Sequence, residues 1–304
     1  MFIVGGIVLL ACLFYCLGKA ADYVVTHALQ IAIHWKLPLS LIGLILGLGT
    51  SLPEFGVGIQ SLVSRVEAFS IGNLLGGIPL LFGLILGLHI FFHRDVSSRK
   101  KIQPLFYSFL YFLVPMALAL DGAIQWWDGL ILIGGYVVLA HALMKNTEMK
   151  EPLRIPNRSM HHVWKFGIAL ALILILSYFI VQISLRLLGY FSWSPLILGA
   201  IILAIGTNLP EIVITLQSWR RQKKHLAMAH ILGSALANLF FLGFFSLIRP
   251  FAILDSDAFI LFGWAALFAG LFYWFAKTEH RLRRWEGAFL VSAYLMFVLV
   301  SSLI

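Results

Sequence analysis

The chain has 304 residues, of which 61% are hydrophobic and only 12% charged, with a formal net charge of +9. A soluble domain carries about twice that share of charged residues. That excludes a soluble enzyme, a disordered chain or a coiled coil, and makes lipid the solvent for most of the surface.

A crossing helix needs about 20 mostly apolar residues. On that measure the first half holds spans at 2–33, 38–63, 69–91, 104–120 and 126–144. The second half holds spans at 165–189, 194–218, 226–247, 252–275 and 286–303. The expected fold class is therefore an all-α membrane protein of ten transmembrane helices. No Lys or Arg precedes the first apolar run, so residues 1–18 read as part of a span and not as a cleaved leader. Within that span Cys12 and Cys16 lie one helical turn apart and are expected as core thiols, not a redox pair or disulfide framework. Lys19 and Asp22, three apart, are expected to pair on one helix face. The longest polar linker, 145–164, is basic and divides 1–144 from 165–304. His161 and His162, at its end, are expected to be solvated.

Successive loops alternate between the two sides of the membrane. One side collects 18 of the 22 basic residues: Lys36, the clusters at 94–101, 145–165 and 220–224, and the group from Lys277 to Arg284. The other holds Arg65, Arg186 and Arg249, and Lys19 lies inside the first span. Positive loops stay cytoplasmic, so both termini are expected outside. The net charge reflects topology, and no nucleic-acid partner is expected.

A shift of 157 residues superposes the chain on itself. Gly49-Thr50-Ser51-Leu52-Pro53-Glu54 falls on Gly206-Thr207-Asn208-Leu209-Pro210-Glu211. Gln60-Ser61 falls on Gln217-Ser218, and Leu75-Gly76 on Leu232-Gly233, without a gap. The shift equals five spans, an odd number, so the second copy is expected upside down relative to the first. Inverted repeats with interrupted helices near the midplane belong to secondary transporters.

The repeated segment explains itself chemically. Pro53 and Pro210 have no N–H, so the helical bonds to the Gly49 and Gly206 carbonyls cannot form. Broken backbone inside a bilayer is tolerated where it lines a cavity or an ion site. Beside each break stands an acid, Glu54 or Glu211, and an intramembrane carboxylate usually faces such a path. Two carboxylates, hydroxyls and freed carbonyls form an all-oxygen set suited to hard cations such as Na⁺ and Ca²⁺. Two close carboxylates do not both stay ionised without a cation, so exchange between metal ions or protons follows. Zinc-protease, Ser/His and aspartyl-dyad patterns are absent from the sequence, which argues against an intramembrane enzyme.

This pattern resembles the cation/Ca²⁺ exchanger superfamily, and within it the prokaryotic sodium/calcium exchangers. The two Gly-Thr-x-Leu-Pro-Glu segments are similar to the centres of that family's α-repeats, here about 38–91 and 194–247. Asp22, Asp121-Gly122 and Trp127-Asp128-Gly129 also resemble it. The resemblance implies that Glu54 and Glu211 are central ligands. It implies coordination through Thr50, Ser51, Thr207 and Asn208, with backbone carbonyls at Gly47 and Ala204. Asn238 would add a side-chain oxygen, and Ser234 would line a flanking sodium position.

The family's next span carries Gly-Asn-x-x-Gly-Ser-Asn-x-x-Asn. Its counterparts here are residues 72–81 and 229–238. The first copy has Gly77 for Ser and Leu81 for Asn or Asp; the second has His230 for Asn. Calcium takes about six to eight oxygens, so a calcium site would be poorer by a ligand. Pro79 frees the Leu75 carbonyl, which either replaces that oxygen or marks a kink against Gly76-Gly77. His230 either packs or couples transport to protons. The resemblance thus implies a cation antiporter, Na⁺/Ca²⁺ first, without a cofactor, working as a monomer in a bacterial or archaeal cell membrane. Another cation, H⁺ as counter-ion, or a degenerate member without transport are the alternatives.

Overall fold

The computed structural model describes residues 2–34, 48–92, 96–97, 102–144, 159–190, 193–212, 215, 224–253, 256–278 and 281–303. Helix dominates. The first half contains α1 (Phe2–His34), α2 (Leu52–Val63), α3 (Glu67–Pro79), α4 (Leu86–Phe92), α5 (Ile102–Leu118) and α6 (Trp126–Met144). The second contains α7 (Ser159–Leu188), α8 (Pro195–Leu198), α9 (Ala204–Thr207), α10 (Lys224–Ile248), α11 (Ser256–Thr278) and α12 (Arg284–Ser302). Among the described residues six helices are long and apolar enough by length and composition to cross a membrane: those within 4–28, 67–92, 163–188, 230–248, 256–277 and 284–302.

Two helical segments contain wide turns. Between α3 and α4 the chain runs as a π-helix over Leu80–Ile85. Another π-helix, Gly199–Leu203, joins α8 to α9. Short π segments inside α-helices gather at functional sites. The first follows Pro79 directly, whose missing N–H already breaks the regular ladder. These two segments face each other across the molecule's centre, α3 packing along α8 and the second π-helix. Glycine permits the approach: a Cβ at Gly199 would lie 2.6 Å from the Phe69 carbonyl oxygen and 3.1 Å from the Asn73 nitrogen. Small residues at crossings are how membrane helices bring their backbones together.

Buried apolar residues fall into two bodies. One gathers α3, α4, α5, α6, α10, α11 and α12 around Phe82, Phe245, Phe268 and Phe297. The other is built on α1 and α7 with the α8–α9 segment, around Phe14, Leu17, Ile180 and Leu203. Two short antiparallel pairs join distant loops. β1 (Val96–Ser97) pairs with β4 (Arg281–Leu282), and β2 (Ala123–Ile124) with β3 (Phe251–Ala252).

Three local expectations change. The stretch from 252 was expected to be helical, yet α11 begins at Ser256. β3 claims Phe251 and Ala252, and the Ile253 N–H donates to the Gly122 carbonyl at 2.8 Å, which holds this stretch extended. The first helix of the second half was expected from 165, yet α7 starts at Ser159 and takes in His161 and His162. Cys12 and Cys16 are free, as expected, but exposed and not in the core. A helix packed mainly along one neighbour leaves its far side apolar and outward, so an apolar pattern does not say which face is buried.

The last helix of each half starts the same way. Asp128, at the third position of α6, accepts the Gln125 N–H at 2.7 Å. Glu286, at the third position of α12, accepts the Arg283 N–H at 2.7 Å. Each acid satisfies an orphan donor at a helix start, half of a capping box. Trp285-Glu286-Gly287 thus parallels Trp127-Asp128-Gly129, a likeness hidden from the sequence comparison by the Asp-to-Glu change and a one-residue difference in offset.

Candidate cation site

Both repeated segments break the helix, but two residues before the proline expected to do so, at Ser51 and Asn208. Helix at 48–50 stops at Ser51, whose φ of −94° and ψ of 20° lie in the sparsely allowed bridge region. It resumes as α2 with Pro53 in its first turn. In the second copy α9 stops at Asn208, with φ of −85° and ψ of 13°, and helix resumes over 209–212. Proline fits a first turn because the N–H there has no helical partner to lose. Each break therefore places its glutamate in a new first turn.

Glu54 and Glu211 are both buried, 1% and 0% exposed. They are close enough for the charge of Glu54 to act on Glu211. Among the described residues neither Glu54 oxygen has a hydrogen-bond partner, and Glu211 Oε2 has none either. Glu211 Oε1 accepts the Ser234 hydroxyl at 3.4 Å. Ser51 Oγ is also buried without a partner. Buried carboxylate oxygens without donors are costly. A hard cation is a partner that several buried oxygens without donors fit. Among the described residues no three His, Cys, Asp or Glu come together, so the donor set is two carboxylates with hydroxyls and amides.

The surrounding candidates divide. Thr207, beside Glu54, turns its hydroxyl to Asn73 Oδ1 at 3.1 Å, a bond between α9 and α3. Asn208 Nδ2 donates to the Ala204 carbonyl at 2.9 Å. Asn238 Nδ2 donates to the Leu74 carbonyl at 3.0 Å. Ser234 and Asn238 sit on α10, buried. Thr50 lies in the helical turn before the first break, while Gly47 is outside the described residues. Gly77 and Leu81 are buried and offer no side-chain oxygen. It is the Leu74 carbonyl that meets a site residue, where Pro79 had suggested Leu75.

Asn73 was not among the expected site residues, yet its amide is buried and bonded to Thr207. Its place in the Gly72-Asn73 motif was the available signal. Lys19, expected as the partner of Asp22, lies over the Tyr15 ring at 5.6 Å. Its charge still acts on Asp22. His230 has a buried Nε2 without a partner.

A profile of the sodium/calcium exchanger protein family matches residues 5–145 and 161–303. The sodium/calcium exchanger MaX1 of Methanosarcina acetivorans is 22% identical, over 93% of this chain and 95% of its own. Inner membrane protein YrbG of Escherichia coli is 27% identical over 76% of each chain. In structure the chain is similar to the sodium-calcium exchanger NCX_Mj soaked with Na⁺ and Sr²⁺, with a TM-score of 0.67 and 23% identity. That likeness covers 98% of this chain and 99% of the other and speaks for the fold. With the profile spanning nearly its whole length, the chain belongs to the sodium/calcium exchanger protein family and is a multi-pass membrane protein of that family.

Proposed function

We propose that this chain is a secondary cation antiporter that exchanges Na⁺ for Ca²⁺ by alternating access at Glu54 and Glu211. In this reading ten transmembrane helices form two inverted five-helix repeats, 1–144 and 165–304, joined by a basic cytoplasmic linker, with both termini outside. The membrane potential would contribute about 2.3 kcal/mol per net charge per 100 mV. The observation that carries the reading is the pair of buried glutamates at matched helix breaks, with three of their four oxygens lacking a donor. The other expected ligands, Thr50, Ser51, Thr207, Ser234, the Asn208 and Asn238 amides through Oδ1, and the carbonyls of Gly47 and of Ala204, the latter through its remaining lone pair, belong to the same proposal.

The test is Na⁺-gradient-driven ⁴⁵Ca²⁺ flux in proteoliposomes. Glu54→Gln and Glu211→Gln should each abolish it, and flux that survives both substitutions would sink the site. A second reading keeps the fold but uses another cation, or H⁺ as counter-ion. The missing oxygens at Gly77 and Leu81 and the unpartnered His230 Nε2 favour it. Flux that follows a pH gradient and ignores Na⁺ would select that reading, and cation-independent thermal stability would mark a non-transporting member.

A further inference from the structure

The two halves treat the carboxylate pair unequally. In the second half the Ser234 hydroxyl donates to Glu211. At the 157-residue shift its counterpart is Gly77, which has no side chain. The space beside Gly77 is filled from the other half of the molecule. A Cβ there would lie 2.6 Å from Asn238 Nδ2 and 3.4 Å from Asn208 Nδ2. Both asparagines are 1% exposed, and the same two nitrogens donate to the Leu74 and Ala204 carbonyls. Asn208 Nδ2 also lies 3.5 Å from Thr207 Oγ1.

An amide NH₂ group carries two donors and no acceptor. Its hydrogens bear partial positive charge, and a carbonyl lone pair bonded to one is not offered to a cation. Two such groups converge on one small space beside Gly77, Asn208 following Thr207, which lies beside Glu54, and Asn238 one helical turn from Ser234, which donates to Glu211. They supply there what a monovalent cation would supply, positive charge directed at backbone oxygen, without an ion. The oxygens left without donors are Ser51 Oγ, both oxygens of Glu54 and Glu211 Oε2.

We propose that the Gly77 side of the carboxylate pair holds no cation, because the Asn208 and Asn238 amides stand in for one. The protein then binds fewer monovalent cations than a site with hydroxyls on both sides, and the cations it does bind gather on the remaining oxygens. The meaning for transport rests on the antiporter reading, since a missing counter-ion lowers the charge moved per cycle. The binding claim itself does not.

The experiment counts ions on the purified full-length protein in detergent by ²²Na⁺ scintillation-proximity binding at saturation. Asn208→Ser exchanges the amide for a hydroxyl and removes the side-chain amide from the Ala204 carbonyl and from the space beside Gly77. One additional Na⁺ per chain is expected. Asn208→Ala, which removes the donor without adding an oxygen, is the second variant should the first fail to fold, and the same gain is expected. An unchanged number of bound ions in whichever variant folds overturns the proposal. So does an absence of ²²Na⁺ binding in both wild type and variants. Calcium flux from the same preparations separates the two readings: a gained ion without any flux sustains the blocked side and sinks the exchanger.

Discussion

The contact between α3 and the α8–α9 segment sets the distance between the two halves of the candidate site, and Gly199→Ala perturbs it with one added methyl group. The new Cβ would lie 2.6 Å from the Phe69 carbonyl oxygen. A relaxed C–H···O contact begins at about 3.3 Å, so α3 must retreat by roughly 0.7 Å at this point. The Thr207–Asn73 bond spans the same gap at 3.1 Å. It would stretch to about 3.8 Å, beyond the range of a hydrogen bond. Overpacking of this kind costs about 1–3 kcal/mol. The lost bond adds about 1 kcal/mol, and the better helix propensity of alanine returns about the same. The expected net loss is therefore about 1–3 kcal/mol, read as a lower midpoint in detergent thermal unfolding. Gly134→Ala is the control, because nothing lies within 4 Å of a Cβ there. It should be neutral or stabilising by up to about 1 kcal/mol. If both substitutions shift the midpoint alike, close backbone approach does not set this crossing and the reasoning fails.

Two further substitutions test individual bonds. Thr207→Val keeps the shape but removes the donor to Asn73, leaving a buried amide oxygen unpaired, at a cost of about 1–3 kcal/mol. Thermal unfolding should show that loss, and a double variant with Asn73→Leu should recover part of it if the bond is the cause. Asp128→Ala removes the acceptor for the Gln125 N–H at the start of α6 and should cost about 1 kcal/mol. Faster amide hydrogen exchange at the first turn of α6 would accompany that cost; an unaltered turn would refute the cap.

The sequence by itself determined the solvent, the helical segments, the repeated breaks and the two acids. These are local properties. Hydropathy over about twenty residues decides that a segment is an apolar helix, and a proline removes one backbone donor wherever it stands, although Pro115 inside α5 shows that this alone does not end a helix. The scarcity of charge made Glu54 and Glu211 legible. Tertiary structure decided what those local rules leave open. Which face of α1 is buried depends on α7, so Cys12 and Cys16 turned outward. Which carbonyl meets Asn238 depends on the crossing of α3 and α10, so Leu74 replaced Leu75. The loss of a side chain at Gly77 was visible in the sequence, but the amides filling its place come from residues 208 and 238. Only packing brings groups so far apart in the chain within reach, because their meeting is fixed by helix crossings and not by any period in the sequence.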